Sequence, residues 1–286
     1  MEKIVFITTG DWGMSTLLHQ QNKNNLFKQK DVQFNVLLGD NFYPAGVKSV
    51  KDPQWEYMYK TTFPTTIPSF AILGNHDYIE NPNAQIMYSQ IEPSWKMPFY
   101  YYDMLIHLSE NETAHFIFLD TCLLAEDITT NLIRHTSSAS VPLYLNLVKK
   151  FQNKQKQWFE KVLKTSTSKW KIVFGHYPVF SNGPHQISKS LQEYLAPLFM
   201  QYKVDFYVSG HDHNLQHLVK QNTNYVIAGG FSTYSPKNKV CYEHLGSRFQ
   251  AGQGGFVKFK IQSKEVRMQF IGNNNRIIYD YSCSKL

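Results

Sequence analysis

The chain has 286 residues, of which 42% are hydrophobic, 15% aromatic and 18% charged, a balance that buries a sizeable core and excludes a disordered tail protein. No stretch approaches the ~18 consecutive apolar residues of a membrane span, and the apolar run 4–7 is too short for a signal-peptide core, so neither a span nor a leader is expected. Lysine and arginine outnumber aspartate and glutamate by 29 to 22, a net +7, but they are scattered, which argues against nucleic acid and for a mild preference for anionic substrates.

In chain order, a short β-branched apolar run stops five times at a glycine followed by a metal-capable side chain. Residues 4–9 lead to Gly10-Asp11, 34–38 to Gly39-Asp40, and 70–73 to Gly74-Asn75-His76-Asp77. Residues 171–174 then lead to Gly175-His176, and 204–209 to Gly210-His211-Asp212-His213. Between them, apolar residues recur at three and four: Leu17, Leu18, Leu26 and Phe27; Trp158, Phe159, Val162 and Leu163; and Leu191, Leu195, Leu198 and Phe199. The last pattern predicts a helix bent or ended near Pro197. Strand and helix alternate as in βαβ units. From Tyr225 the segments 225–228, 256–261, 266–270 and 277–281 read as successive strands with Gly and Asn turns, hence a second, more antiparallel sheet. Residues 126–147 read as an exposed loop. No repeat or linker divides the chain, so residues 1–286 are expected to form one α/β domain with two sheets flanked by helices.

One Gly-Asp or Gly-His pair is an ordinary turn. Five in the same context indicate convergence, because ligands gather at the carboxyl ends of parallel strands, where glycine lets the chain turn sharply. The convergent set is Asp11, Asp40, Asn75, His176, His211 and His213, with Tyr43 just beyond Asp40. Mixed carboxylate, amide and imidazole donors suit a hydrolytic or redox transition metal, not a thiolate zinc site or a calcium cage. Seven donors exceed the four of a tetrahedral ion, whereas two ions sharing a carboxylate use them all. The three cysteines, Cys122, Cys241 and Cys283, encode neither a disulfide framework nor a zinc ribbon. Cys241 and Arg248 are separated by six residues, one too many for a cysteine phosphatase, and Gly252-Gln253-Gly254-Gly255 lacks the Lys-Ser/Thr of a P-loop.

The motifs GDWG at 10–13, GDNFY at 39–43, GNHD at 74–77, GHYP at 175–178 and GHDH at 210–213 resemble, in order and spacing, those of the small tartrate-resistant purple acid phosphatases, within the calcineurin-like metallophosphoesterases. The resemblance covers nearly the whole chain and implies an α/β/β/α metallophosphoesterase fold. Gly13 stands where the wider superfamily has a histidine, and the resemblance implies that Tyr43 replaces it as a hard anionic donor. It further implies a ferric site from Asp11, Asp40, Tyr43 and His213, and a divalent site for iron, zinc or manganese from Asp40, Asn75, His176 and His211. The expected activity is hydrolysis of phosphate monoesters, small esters or phosphoproteins, by direct attack of a metal-bound hydroxide. His76 is then the candidate general acid, and Asp77 and Asp212 are expected to orient ligand histidines.

After GHYP the chain departs from the resembled pattern. The Glu-His pair that lines the substrate pocket in such phosphatases is absent, and the segment is shortened to Val179-Phe180-Ser181-Asn182-Gly183-Pro184-His185. His185 and Asn182 are the candidate pocket residues. The partner of Cys122 in the disulfide of animal members is also missing, Ile187 or a neighbour standing there. Asn111-Glu112-Thr113 is the only glycosylation sequon. The family is usually secreted, lysosomal or vacuolar, while this N-terminus carries no leader signal; a monomer is expected. Rival readings are a phosphodiesterase or nucleotidase of the same fold, and a non-enzymatic scaffold.

Overall fold

The computed structural model describes residues 3–127, 141–185, 187–235 and 246–285; Cys241 lies outside them. Its central strands are apolar on both faces, as strands covered on both sides must be. On β1 (Ile4–Thr9), Ile4 and Phe6 face one core and Ile7 the other. The same alternation splits Phe34 and Val36 from Leu37 on β2 (Phe34–Leu37).

The inward faces belong to two seven-stranded sheets packed on each other. In the first, β1, β2, β3 (Ser69–Ala71) and β4 (Trp95–Lys96) run parallel. The second has β6 (Thr113–Phe118), β7 (Trp170–Phe174), β8 (Phe206–Ser209) and β10 (Thr223–Ala228) parallel at its centre. Its antiparallel margins are β5 (Tyr102–His107) beside β6, and β9 (Leu215–Lys220) with β11 (Ser247–Ala251) beyond β10. Phe6 anchors the inter-sheet core, stacking on Phe34 and Phe259 at 5.1 and 5.0 Å and meeting Phe116 and Phe174 of the opposite sheet edge-on. Helices α1 (Leu17–Phe27), α2 (Pro82–Tyr88), α3 (Val141–Thr165) and α4 (Lys189–Gln201) flank the sheets.

Both sheets are mixed, and the expectation that the strands from Tyr225 onward form a second, more antiparallel sheet of their own is corrected in its membership. β10 joins the second sheet, while β12 (Gly255–Ile261), β13 (Glu265–Gly272) and β14 (Ile277–Ser284) extend the first, β12 pairing antiparallel with β1. The edge of β1 opposite β2 would otherwise bury unpaired backbone groups, a need that the apolar pattern of a strand does not reveal. Helix α4 runs through Pro197 to Gln201, because buried Leu191, Leu195 and Phe199 hold its inner face. The predicted loop 126–147 is also shorter than expected: residues 141–147 open α3, with Tyr144 and Leu147 buried, and 128–140 lie outside the described residues. Pro142 is tolerated there because the first helical turn leaves its amides without intrahelical partners.

Candidate metal centre

The five glycine-terminated strand ends meet at one edge of the sandwich, β1, β2 and β3 from the first sheet and β7 and β8 from the second. Three candidate ligands stand in the left-handed backbone region that non-glycine residues avoid: Asp11 at φ 57°, Asp40 at 52° and His211 at 66°. Such geometry persists only where surroundings enforce it. Asp11 Oδ2 accepts the His211 backbone amide at 2.8 Å, and Asp40 Oδ1 accepts the His76 amide at 2.9 Å. Gly74 must be glycine, since a Cβ there would collide with the Asp40 carboxylate and backbone.

Two groups of donors share Asp40. In one, the Tyr43 hydroxyl lies 2.8 Å from Asp40 Oδ2, 3.2 Å from Asp11 Oδ1 and 3.4 Å from His213 Nε2, with His213 Nε2 3.4 Å from Asp11 Oδ1. In the other, His176 Nε2 lies 3.0 Å from Asn75 Oδ1 and 3.5 Å from Asp40 Oδ1. The His211 ring joins this second group, 5.1 Å between centroids from His176. His176 Nδ1 is held by the Leu38 carbonyl at 2.8 Å, which presents Nε2 to the centre.

The electrostatics fit bound cations. Asp11, Asp40 and His176 are buried, with donor atoms mutually within 4.8 Å. Neither carboxylate forms an ion pair with Lys or Arg among the described residues, so the buried negative charge lacks a fixed counter-charge. Burial and then the Asp40 and Asp11 carboxylates push the Tyr43 phenol well above its ordinary range, so a cation is required to make it a phenolate. Burial, with His176, His185, His213 and His76 nearby, holds His211 well below its ordinary range, in the neutral form a ligand needs. For His176 and His213 burial pulls down, but the aspartates outweigh it and both lie raised.

His76 sits over Tyr43, ring centroids 4.3 Å apart, its Nδ1 held by the Pro44 carbonyl at 2.6 Å and its Nε2 4.0 Å from Asp40 Oδ2. The two aspartates expected to orient ligand histidines do otherwise. Asp77 accepts the backbone amides of Asn41, Phe42 and Gly74 and the Gln85 side chain, and so shapes the loops carrying Asp40 and Asn75. Asp212 turns its carboxylate to Ser181 and His185. Flanking position in a motif does not set side-chain direction in a tight turn, which is why both expectations missed. His185 lies over the centre, 4.5 Å from the His211 ring and 5.5 Å from that of His213. Asn182 is buried, and its side-chain amide has no hydrogen-bond partner among the described residues.

Sequence reasoning missed three supporting residues. Thr121 Oγ1 accepts the amides of His176 and Tyr177 at 3.0 and 2.9 Å, and nothing in its local sequence marks it. Tyr177, inside GHYP, packs on His211 at 4.6 Å. Asn41, inside GDNFY, accepts from Trp12 Nε1 at 2.9 Å, which ties the first two motifs together. Cys122 and Cys283 are free thiols, and no helix among the described residues is long and apolar enough to cross a membrane.

A family model described as calcineurin-like phosphoesterase matches residues 5–215. Tartrate-resistant acid phosphatase type 5 of Homo sapiens is 30% identical to the chain, over 96% of it and 89% of the relative. Purple acid phosphatase 7 of Arabidopsis thaliana is 28% identical over 98% of the chain and 86% of the relative. Among solved structures, GAP50, the anchor in the inner membrane complex of Plasmodium, superposes with TM-score 0.85 at 26% identity, covering 99% of this chain and 89% of its own. A dimetal phosphatase of Danio rerio shares the fold, with TM-score 0.66 at 14% identity over 98% of both chains.

Proposed function

The chain belongs to the calcineurin-like phosphoesterase family, among the tartrate-resistant and purple acid phosphatases, and from that premise we propose that it hydrolyses phosphate monoesters at a paired ferric and divalent centre, with direct phosphoryl transfer to water. The observation that carries this reading is the convergence of two donor groups on Asp40, with the Tyr43 hydroxyl 2.8 Å from that shared carboxylate. Asp11, Asp40, Tyr43 and His213 would hold the ferric ion; Asp40, Asn75, His176 and His211 would hold iron, zinc or manganese as the divalent one. When bound, such a pair supplies Lewis-acid polarisation of the phosphate and activates the attacking water, the ferric ion extending this to acidic pH.

The residues of the chain do the rest. Asp40 fixes the separation of the two donor groups, and the strained turns at Asp11 and His211 hold their donors in place before substrate arrives. The Pro44 carbonyl engages His76 Nδ1, which leaves Nε2 to deliver a proton to the leaving alkoxide, a role worth ~10²–10⁴-fold. Small phosphate esters or phosphoproteins are the substrate class.

Initial rates on an aryl phosphate monoester and the matching diester, from acid to neutral pH, test the reading. Monoester turnover should be the faster and should vanish in His211→Ala; faster diester turnover would make the chain a phosphodiesterase. The likeness to an anchor protein supports a second reading as a scaffold. Metal-loaded protein without turnover would favour it.

A further inference from the structure

Lysine and arginine are scattered along the sequence, but the fold gathers some of them. Helix α3 (Val141–Thr165) carries six lysines and one acid, Glu160. Lys150, Lys154, Lys161 and Lys164 recur at steps of four, seven and three, the period of one helix face, and all four are exposed. Lys156 pairs with Glu126 at 2.7 Å, whereas these four form no ion pair among the described residues. A solvated helix normally interleaves both signs at i and i+4. Here that spacing sets Lys150 against Lys154, so the face repels itself along ~20 Å of helix.

An aromatic ridge borders this face. Phe151 and Trp158 each stand three residues before one of its lysines, Lys154 and Lys161, and so flank it. Phe99 packs on Phe151 at 5.2 Å and Tyr101 on Trp158 at 4.9 Å; Phe99 keeps 36% exposure, and Lys150 Nζ lies 4.9 Å from the Phe151 ring centroid. The acid beyond Tyr101, Asp103, is engaged by His115 at 2.8 Å. Gln155 bonds the Asp120 backbone past the end of β6, while Ser166, just beyond α3, meets His115 in the first half of that strand. Helix α3 therefore runs antiparallel to β6, and its lysines lead away from the metal centre.

Lysine is a hydrated point charge on a flexible stem, suited to a diffuse anionic surface, and α3 holds no arginine fork to grip individual phosphates. Tyrosine and tryptophan rings settle at the headgroup level of bilayers. We propose that the face formed by Lys150, Lys154, Lys161 and Lys164, with the ridge at Phe99 and Tyr101, docks the protein peripherally on an anionic phospholipid membrane. The lysines meet the charged headgroups, and Phe99 enters the headgroup layer. The interaction requires neither metal nor turnover.

The test is sedimentation of the full chain with vesicles of phosphatidylcholine alone and of phosphatidylcholine mixed with phosphatidylserine, at low and physiological salt. Binding should require phosphatidylserine and weaken as salt rises. A lysine near an anionic leaflet is worth about fivefold in partitioning, so Lys150→Gln/Lys154→Gln/Lys161→Gln should lose on the order of a hundredfold. The same charge change at Lys28, Lys30 and Lys264, which are exposed outside α3, should cost less than about tenfold. Glutamine is a good helix former, so the unfolding midpoint of both triple variants should match wild type. Phe99→Ala should weaken the binding that survives physiological salt, and wild-type binding by that variant would overturn the insertion of the ring. Unchanged binding by the α3 variant, or equal losses in the two triple variants, would overturn the docking face. Binding to heparin without binding to the mixed vesicles would also overturn it, by assigning the lysines to an acidic polymer. Sedimentation is read without metal or turnover, so failure of the phosphatase reading leaves this test intact.

Discussion

Asp11 Oδ2 accepts the backbone amide of His211 at 2.8 Å, a bond between residues 200 positions apart, each at positive φ and each at the end of a strand in a different sheet. The bond joins the two halves of the sandwich at the point where the proposed metal pair sits. Asp11→Ala should therefore do two things: remove a proposed ferric ligand and strand a buried amide, the second costing about 1–3 kcal/mol even without metal. Asp11→Asn keeps an acceptor for the amide, so the chelated protein should keep its urea midpoint while iron content falls. Equal destabilisation of both chelated variants would show that the amide bond is not what the carboxylate contributes.

Tyr43 is the phenolic donor of the proposed centre. Tyr43→Phe should abolish the visible phenolate-to-iron absorption of iron-loaded protein. Monoester turnover should drop by no less than the ~10–100-fold that loss of a ligand's supporting partner costs. An unchanged visible spectrum would assign the colour to another group.

The fold was legible in the sequence where apolar alternation and glycine stops coincide, as at residues 4–11 and 34–40. Strand partition was not legible, because β12 reads the same whether it pairs with β1 or starts a new sheet. The candidate ligands were legible through recurrence. His19, His115 and His217 are also buried histidines, but they follow no glycine-terminated strand and are engaged by Thr62, by Asp103 and Ser166, and by Tyr279 and Asn224. The contacts of Asp77 with Asn41 and Phe42, and those of Asp212, were illegible because they depend on loop closure across 35 to 36 and 27 to 31 residues, which local pattern does not carry.

Beneath the centre, burial lifts the Asp120 carboxyl from 3.8 to about 7, although the Tyr78 hydroxyl and the Leu123 and Cys122 amides draw it down. The folded protein therefore holds this proton more tightly than the unfolded chain. The stability it contributes is complete below pH ~4 and is lost as pH rises toward ~7, by on the order of 4 kcal/mol. Asp120→Asn should flatten the fall in unfolding free energy across that window in chelated protein. A slope identical to wild type would refute the assignment.

In the inter-sheet core, Phe6 has two stacked and two edge-on aromatic partners and no exposure. Phe6→Ala should cost about 3–5 kcal/mol in denaturant unfolding. A loss under ~1 kcal/mol would mean that the two sheets are not held together at this point.

The central claim is that Asp40 is shared by two metal-binding groups that together hydrolyse phosphate monoesters. Metal stoichiometry and aryl phosphate turnover, measured on the same preparations of wild type and Asp40→Asn after loading with iron and a divalent ion, test it most directly. The account predicts two metals and turnover in the wild type, with both metals weakened and turnover lost together in the variant. Retention of two metals with full turnover by Asp40→Asn would contradict it.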